Sequence, residues 1–342
     1  MSSLDSQSPT TSATVHQWRH LANRHQVGWG ETLLIALNIH GLSSHGDGPG
    51  TIRLKVRPPE TEVFQVVIPT GRETSPFTIV DKDLCVDGTP VAEVVDARVD
   101  HAVGGYLRAG GRAATIHPYA GSSDAGSPDT REGYSRLLAD LAISLPAGLT
   151  LADIDEVTVS ASAYNSESEA IDDLADLRSA MAGLDMNARI GLLSSVVRSE
   201  TGMQRLAEEV APFALFLDAD FPGGAEETPL PDVLANARAC GHDTSFTYTV
   251  GNDPLDVMRE QLLPLAQYTT VWPSLFILQT PSSDEDGAHI AEPEQRLDFF
   301  LQARTMLERI FAPTPLVPQP WRCYRGLWYR EHAGEPLPGP WI

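Results

Sequence analysis

Cysteine is scarce in this chain: three residues in 342, namely Cys85, Cys240 and Cys323. They stand 155 and 83 positions apart, so neither CxxC nor CxxxCxxC occurs. That spacing disfavours a disulfide framework, a zinc ribbon and an iron–sulfur cluster held by this chain's own thiolates. Lysine is scarcer still, with Lys55 and Lys82 the only two among 24 basic residues. Acids number 46, and the formal net charge of −22 repels a phosphate backbone, so nucleic acid is not an expected partner. Long apolar runs are missing as well. None approaches the ~20 residues that a helix needs to cross a bilayer, so no membrane partner is expected. The opening MSSLDSQSPTTSAT has no apolar h-region and reads as a disordered leader over residues 1–14 rather than a secretory signal. A cytoplasmic location is the expectation. GxGxxG, GxxxxGK[ST] and GxSxG are all absent, which leaves nucleotide loops and the hydrolase elbow without support.

What is present is a hydrophobic fraction of 42 %, enough for a large core, and a length that predicts two domains or a barrel with an appendage. Residues 15–112 open with a short helix at 15–25. They continue as extended, β-branched segments at 32–39, 51–56, 62–68, 77–80 and 91–95. The turn signals HGDGPG, RPPE, PTGRE and VDGTP separate these segments, so an α+β accessory module, mostly antiparallel, is predicted.

Residues 113–311 alternate strands with helices. Strands are predicted at 114–119, 156–163, 189–196, 213–218, 245–250 and 274–279. Helices are predicted at 130–145, 167–183, 201–210, 230–240, 254–266 and 293–311. In the last of these, Leu297, Phe300, Leu301, Leu307, Ile310 and Phe311 recur at i, i+3, i+4 spacing. Six β/α units imply a parallel sheet, because each helix must return the chain between parallel strands. The sheet is either open and doubly wound or an incomplete barrel. Residues 312–342 form a tail rich in Pro and aromatics, including Trp321, Tyr324, Trp328, Tyr329 and Trp341. It either packs across a barrel face or binds a partner.

Parallel β/α folds bind ligands at the C-terminal ends of their strands. That rule nominates His117 and Tyr119 from the first strand, and Ser160, Ser162, Tyr164 and Asn165 from the second. It adds Ser194, Ser195 and Arg198 from the third, Asp218 and Asp220 from the fourth, Tyr248, Thr249 and Asn252 from the fifth, and Gln279 and Thr280 from the sixth. His117, Tyr119, Tyr164, Asp218, Asp220 and Tyr248 are the candidates for proton transfer, and the others for ligand binding. Asp218 and Asp220 fall on one side of an extended segment. They could share a proton, hold a hard cation with His117, or cap the turn FPGG that follows. His16 and His20 share a helix face, but Gln17 stands where the HExxH zinc motif needs Glu. His25, His40, His45 and Asp47 extend this histidine-rich stretch.

Four stretches carry a family resemblance. AATIHPYAG sits where radical S-adenosylmethionine (radical SAM) enzymes have the strand feeding their cluster loop. EVTVSASAYN resembles their second strand, and SFTYTVGNDPLDVMREQLLPLA their fifth strand and helix, keeping Thr249, Val250 and Gly251 of a TxxVGxxE-like pattern. WRCYRGLWY is similar to the aromatic tails of biotin-synthase-like members. The resemblance covers residues 113–311 and the tail, and it implies a partial (β/α)6 TIM-like barrel. The departures concern chemistry. The family's three-cysteine motif should lie in residues 121–130, GSSDAGSPDT, which hold none. Its glycine-rich turn is replaced by Ser160-Ala161-Ser162-Ala163. An iron–sulfur cluster is therefore not expected, and no cofactor is named. The resemblance implies a cluster-free partner or substrate-presenting subunit of a cysteine-bearing radical SAM homologue in specialised-metabolite biosynthesis. The alternative is a stand-alone small-molecule enzyme, a lyase, isomerase or transferase, metal-dependent or not.

Overall fold

A computed structural model describes residues 12–43, 50–59, 61, 63–99, 105–108, 111–117, 130–160, 164–220, 227–279, 295–319 and 326–328. The chain starts with helix α1 (Ala13–His25), where the Ser12 hydroxyl accepts from the Val15 amide at 3.2 Å and so caps the first turn. Val15, Trp18, Leu21 and Ala22 make one buried face, and Gln26 ends the helix at φ 56°. Helix α2 (Trp29–His40) occupies the segment that the sequence marks as extended. A continuous apolar run such as LLIALNI fits a buried strand or a buried helix equally well by periodicity. Its Leu and Ala content favours the helix, and every residue from Gly30 to Ile39 is buried.

Five antiparallel strands follow: β1 (Gly50–Arg57), β2 (Phe64–Thr70), β3 (Phe77–Val80), β4 (Asp83–Val86) and β5 (Thr89–Val99). They pair in the order β2-β1-β5-β4-β3. On β1, Ile52, Leu54 and Val56 are buried while Arg53, Lys55 and Arg57 are exposed, the alternation of a sheet wetted on one face. β4 was not foreseen; it joins β5 through Asp87 and Gly88, both at positive φ, as a two-residue hairpin requires.

The second sheet has seven strands in the order in which they occur in the chain. The edge strand β6 (Gly105–Arg108) is antiparallel to β7 (Ala113–Ile116). Then come β8 (Glu156–Ser160), β9 (Arg189–Leu193), β10 (Phe213–Asp218), β11 (Asp243–Val250) and β12 (Ser274–Ile277), all parallel. The helices between and after them are α3 (Thr130–Ile143), α4 (Glu167–Ala182), α5 (Glu200–Glu209), α6 (Leu230–Ala239), α7 (Leu255–Ala266) and α8 (Arg296–Phe311). Each packs against the next in a single row. A doubly wound sheet needs a reversal of strand order so that helices cover both faces. Here no reversal occurs, same-handed crossovers keep the helices on one side, and the sheet curls as a half-barrel.

The helix side of this sheet is apolar: Val157, Val159, Ile190, Leu192, Leu215, Leu217, Phe246 and Val250 join the main core. The opposite side carries Thr158, Gly191 and Phe216, and a Cβ at Gly191 would come within 2.9 Å of Phe216 Cε2. Toward the strand starts on that side, Arg189 pairs with both Glu156 and Asp243, and Arg108 donates to Thr158 at 3.1 Å. These ion pairs fasten four strands at the end of the sheet away from the usual ligand site.

The accessory module docks on α8. Arg304 and Glu31 are each 1 % exposed and meet at 2.8 Å. Arg304 also donates to Glu308 at 3.2 Å and to the Leu327 carbonyl at 3.1 Å, while Trp328 Nε1 donates to the same Glu308 oxygen at 3.1 Å. Gly326 bridges antiparallel to Phe276, so this part of the tail lies along the β12 edge. Trp328 packs edge-on against Trp272 at 5.1 Å. One hydrophobic cluster runs from Val15 through the half-barrel to Trp328. Removing one member of a buried pair strands the other, so Glu31→Gln should lower stability by about 3 kcal/mol. The paired Glu31→Leu/Arg304→Met replacement should recover much of that loss. Urea unfolding of both variants checks this, and a Glu31→Gln loss below about 1 kcal/mol would refute it.

Candidate functional site

The C-terminal ends of β7 to β12 form one rim of the half-barrel. Tyr119, Ser162 and Thr280 lie outside the described residues, as do residues 118–129, where the cluster motif would fall. His117 follows β7 and Gln279 follows β12, both half-buried, and Ser160 closes β8 in the same state.

Two of the three nominated phenols do not belong to the rim. Strand residues alternate between faces, so Tyr248 points with Phe246 and Val250 into the core beneath the helices. Its hydroxyl donates to Asp253 at 2.7 Å, and burial together with that carboxylate pushes its ionisation well above the usual range. A phenol held neutral in this way is fixed in place rather than poised to give up a proton. Tyr164 is likewise committed: it and Tyr134 both donate to Asp173 Oδ2 at 2.5 Å, tying the start of α4 to α3. Asp173 and Asp253 were not nominated. Their signal is positional, Asp253 in the turn after β11 and Asp173 on the buried face of α4, and it appears only once the chain is folded.

The hydroxyl and amide candidates are used by the backbone. Ser194 Oγ accepts from the Val196 amide at 3.2 Å, and Ser195 Oγ accepts from the Asp218 amide at 2.9 Å, which joins the ends of β9 and β10. Asn165 donates to one Glu169 oxygen from its backbone N–H at 2.8 Å and from Nδ2 at 3.3 Å, beside the Ser166 cap of α4. Arg198 pairs with Glu227 at 2.7 Å and donates to the Ser195 carbonyl at 2.9 Å.

The two aspartates of LDAD have separate tasks. Asp220 accepts from the Thr249 amide at 2.9 and 3.0 Å and from Asn252 Nδ2 at 3.3 Å, so it latches the end of β10 to the turn after β11. Asp218 folds back on its own turn, accepting from the Asp220 amide at 3.0 Å. Its second oxygen has no partner among the described residues. Burial, opposed by that backbone hydrogen bond and aided by the neighbouring Asp220 charge, raises its pKa. Among the described residues no three His, Cys, Asp or Glu side chains gather as a metal site, so His117 and the aspartates are not brought together in one. His25 instead bonds Asp298 at 2.7 Å, and His40 stacks on Trp18, its pKa lowered to about 4 by burial and Arg296. His16 and His20 lie on α1, and His45 and Asp47 are outside the described residues.

Among the described candidates, Ser160 and Gln279 stand half-buried at the ends of β8 and β12, and Asp218 keeps one oxygen open. A carboxylate whose folded pKa is raised costs stability above that pKa, and the cost disappears below the unfolded value. Asp218→Asn keeps an acceptor for the Asp220 amide, so it should stabilise the protein at pH 7, by no more than about 1 kcal/mol after solvent screening. The gain should fade as pH falls toward 4, and thermal melts across that range test it; a constant difference would contradict the assignment. The chain matches no family model and none of the curated proteins searched.

Proposed function

We propose that this chain is a cluster-free, radical-SAM-like (β/α)6 half-barrel that presents a small polar substrate to a cysteine-bearing partner enzyme in specialised-metabolite biosynthesis. The reading is supported by the parallel strands in chain order, the absence of cysteine from residues 121–130, and the motif-level resemblance above. The observation that carries it is the commitment of the groups nominated for proton transfer. Tyr164, Tyr248 and Asp220, which a stand-alone acid–base enzyme would need free, are consumed by hydrogen bonds that hold strands and helices together. Such a rim can shape and orient a ligand without moving protons.

One observation favours a second reading. Asp218 keeps an open oxygen and a raised pKa, the properties of a single general acid or base in an isomerase or lyase. The two readings separate in one experiment. The flanking genes are searched for a CxxxCxxC homologue, the chain is co-expressed with it, and the purified material is sized by light scattering. A stoichiometric heteromer, whose turnover requires both chains and survives Asp218→Asn, is expected. A monomer that turns over substrate alone and is silenced by Asp218→Asn would replace the first reading with the second.

A further inference from the structure

A cleft of about 700 Å³ opens along the seam where α1, α7 and α8 meet. It lies in the helix layer rather than at the strand rim, and ligand pockets favour such boundaries between modules. Arg24, His25, Arg304 and Arg309 all line it. This concentration stands out in a chain whose residues 113–342 carry 14 basic against 34 acidic side chains.

The carboxylates around the cleft are engaged. Asp298 accepts from Arg24 and His25. One oxygen of Glu308, which also lines the cleft, accepts from Arg304 Nε and Trp328 Nε1, and Glu31 takes Arg304 Nη1. One open acceptor among the described residues, the second oxygen of Glu308, is outnumbered by open donors. Arg304 Nη2 is buried without a hydrogen-bond partner. Arg309 is exposed and has no ion-pair partner among the described residues. Leu255, which lines the cleft, starts α7, and no side chain caps that helix. A buried guanidinium nitrogen left open costs free energy that a bound oxyanion would recover. Val27, Leu255 and Met306 add an apolar wall.

We infer that this cleft binds a small oxyanion, a carboxylate or phosphate attached to a short apolar body, with Arg309 and Arg304 holding the anionic end. The long-range field of an acidic chain opposes such a ligand, so its affinity must come from these short-range donors. A ligand seated here touches α1 on one side and α7 and α8 on the other, so it also strengthens the docking of the accessory module.

The test uses the full-length chain titrated calorimetrically with inorganic phosphate and, separately, with citrate. Saturable binding of one equivalent is expected for at least one of them, with a rise in melting temperature. Phosphate alone identifies a phosphoryl ligand and citrate alone a carboxylate; either supports the site. Arg309→Gln, at an exposed position, should weaken binding by about ten-fold or more. Thr305→Phe, which fills the cleft without changing charge, should abolish it, whereas Arg205→Gln on α5 should leave it unchanged. Absence of saturable heat with both anions, or equal affinity in the wild type and the Arg309→Gln and Thr305→Phe variants, overturns the proposal.

Discussion

The Glu31–Arg304 ion pair is the constraint on which the rest of the molecule turns. Both groups are almost wholly removed from water, and neither can stay charged there alone. Arg304 stands on the apolar stripe of α8, between Leu301 and Leu307, so that helix cannot bury its stripe unless something neutralises it. Glu31 does so from the first turn of α2. The accessory module is thereby obliged to sit on the last helix of the half-barrel. The same guanidinium holds the Leu327 carbonyl, and through Glu308 it holds Trp328, so the tail is pinned by the charge that pins the module. Three parts of the chain meet at one side chain.

Strand order sets the other boundary. Because the parallel strands follow the chain without reversal, the helices line one side and the other side is left to Thr158, Gly191 and Phe216. The two ends of that face are built differently. At the strand starts, Arg189 with Glu156 and Asp243 makes a fixed ionic floor. At the strand ends, Asp220 and Ser195 stitch neighbouring loops together and leave a short polar rim. Groups held by packing and hydrogen bonds in this way keep a fixed geometry.

Much of this was legible in advance, for physical reasons. The β/α alternation could be read because strands buried on both faces, such as Phe213 to Leu217, and amphipathic helices leave unlike patterns. The failure at α2 has the same root: a helix buried on every side has no stripe, so LLIALNI carries no period to read. The rim was misjudged at Tyr248 because a one-residue step along a strand moves a side chain from one face to the other. Thr249, one step along, points to the face opposite the helices for that same reason. Its neighbour belongs to the core. Arg304 did leave a trace, as a charge that with Glu308 interrupts the apolar series of α8, but Glu31 lies 273 positions away, where no local pattern points.

That distance bears on how the chain reaches its folded state. Each parallel strand pair closes a loop of roughly 20–40 residues, a modest entropic cost, so the half-barrel can grow unit by unit, as repeat proteins do. Glu31 and Arg304 are 273 positions apart, and their contact has no value until α8 is in place. Topology therefore separates a fast, local phase of assembly from a slow, long-range closure, in which α2 waits for α8.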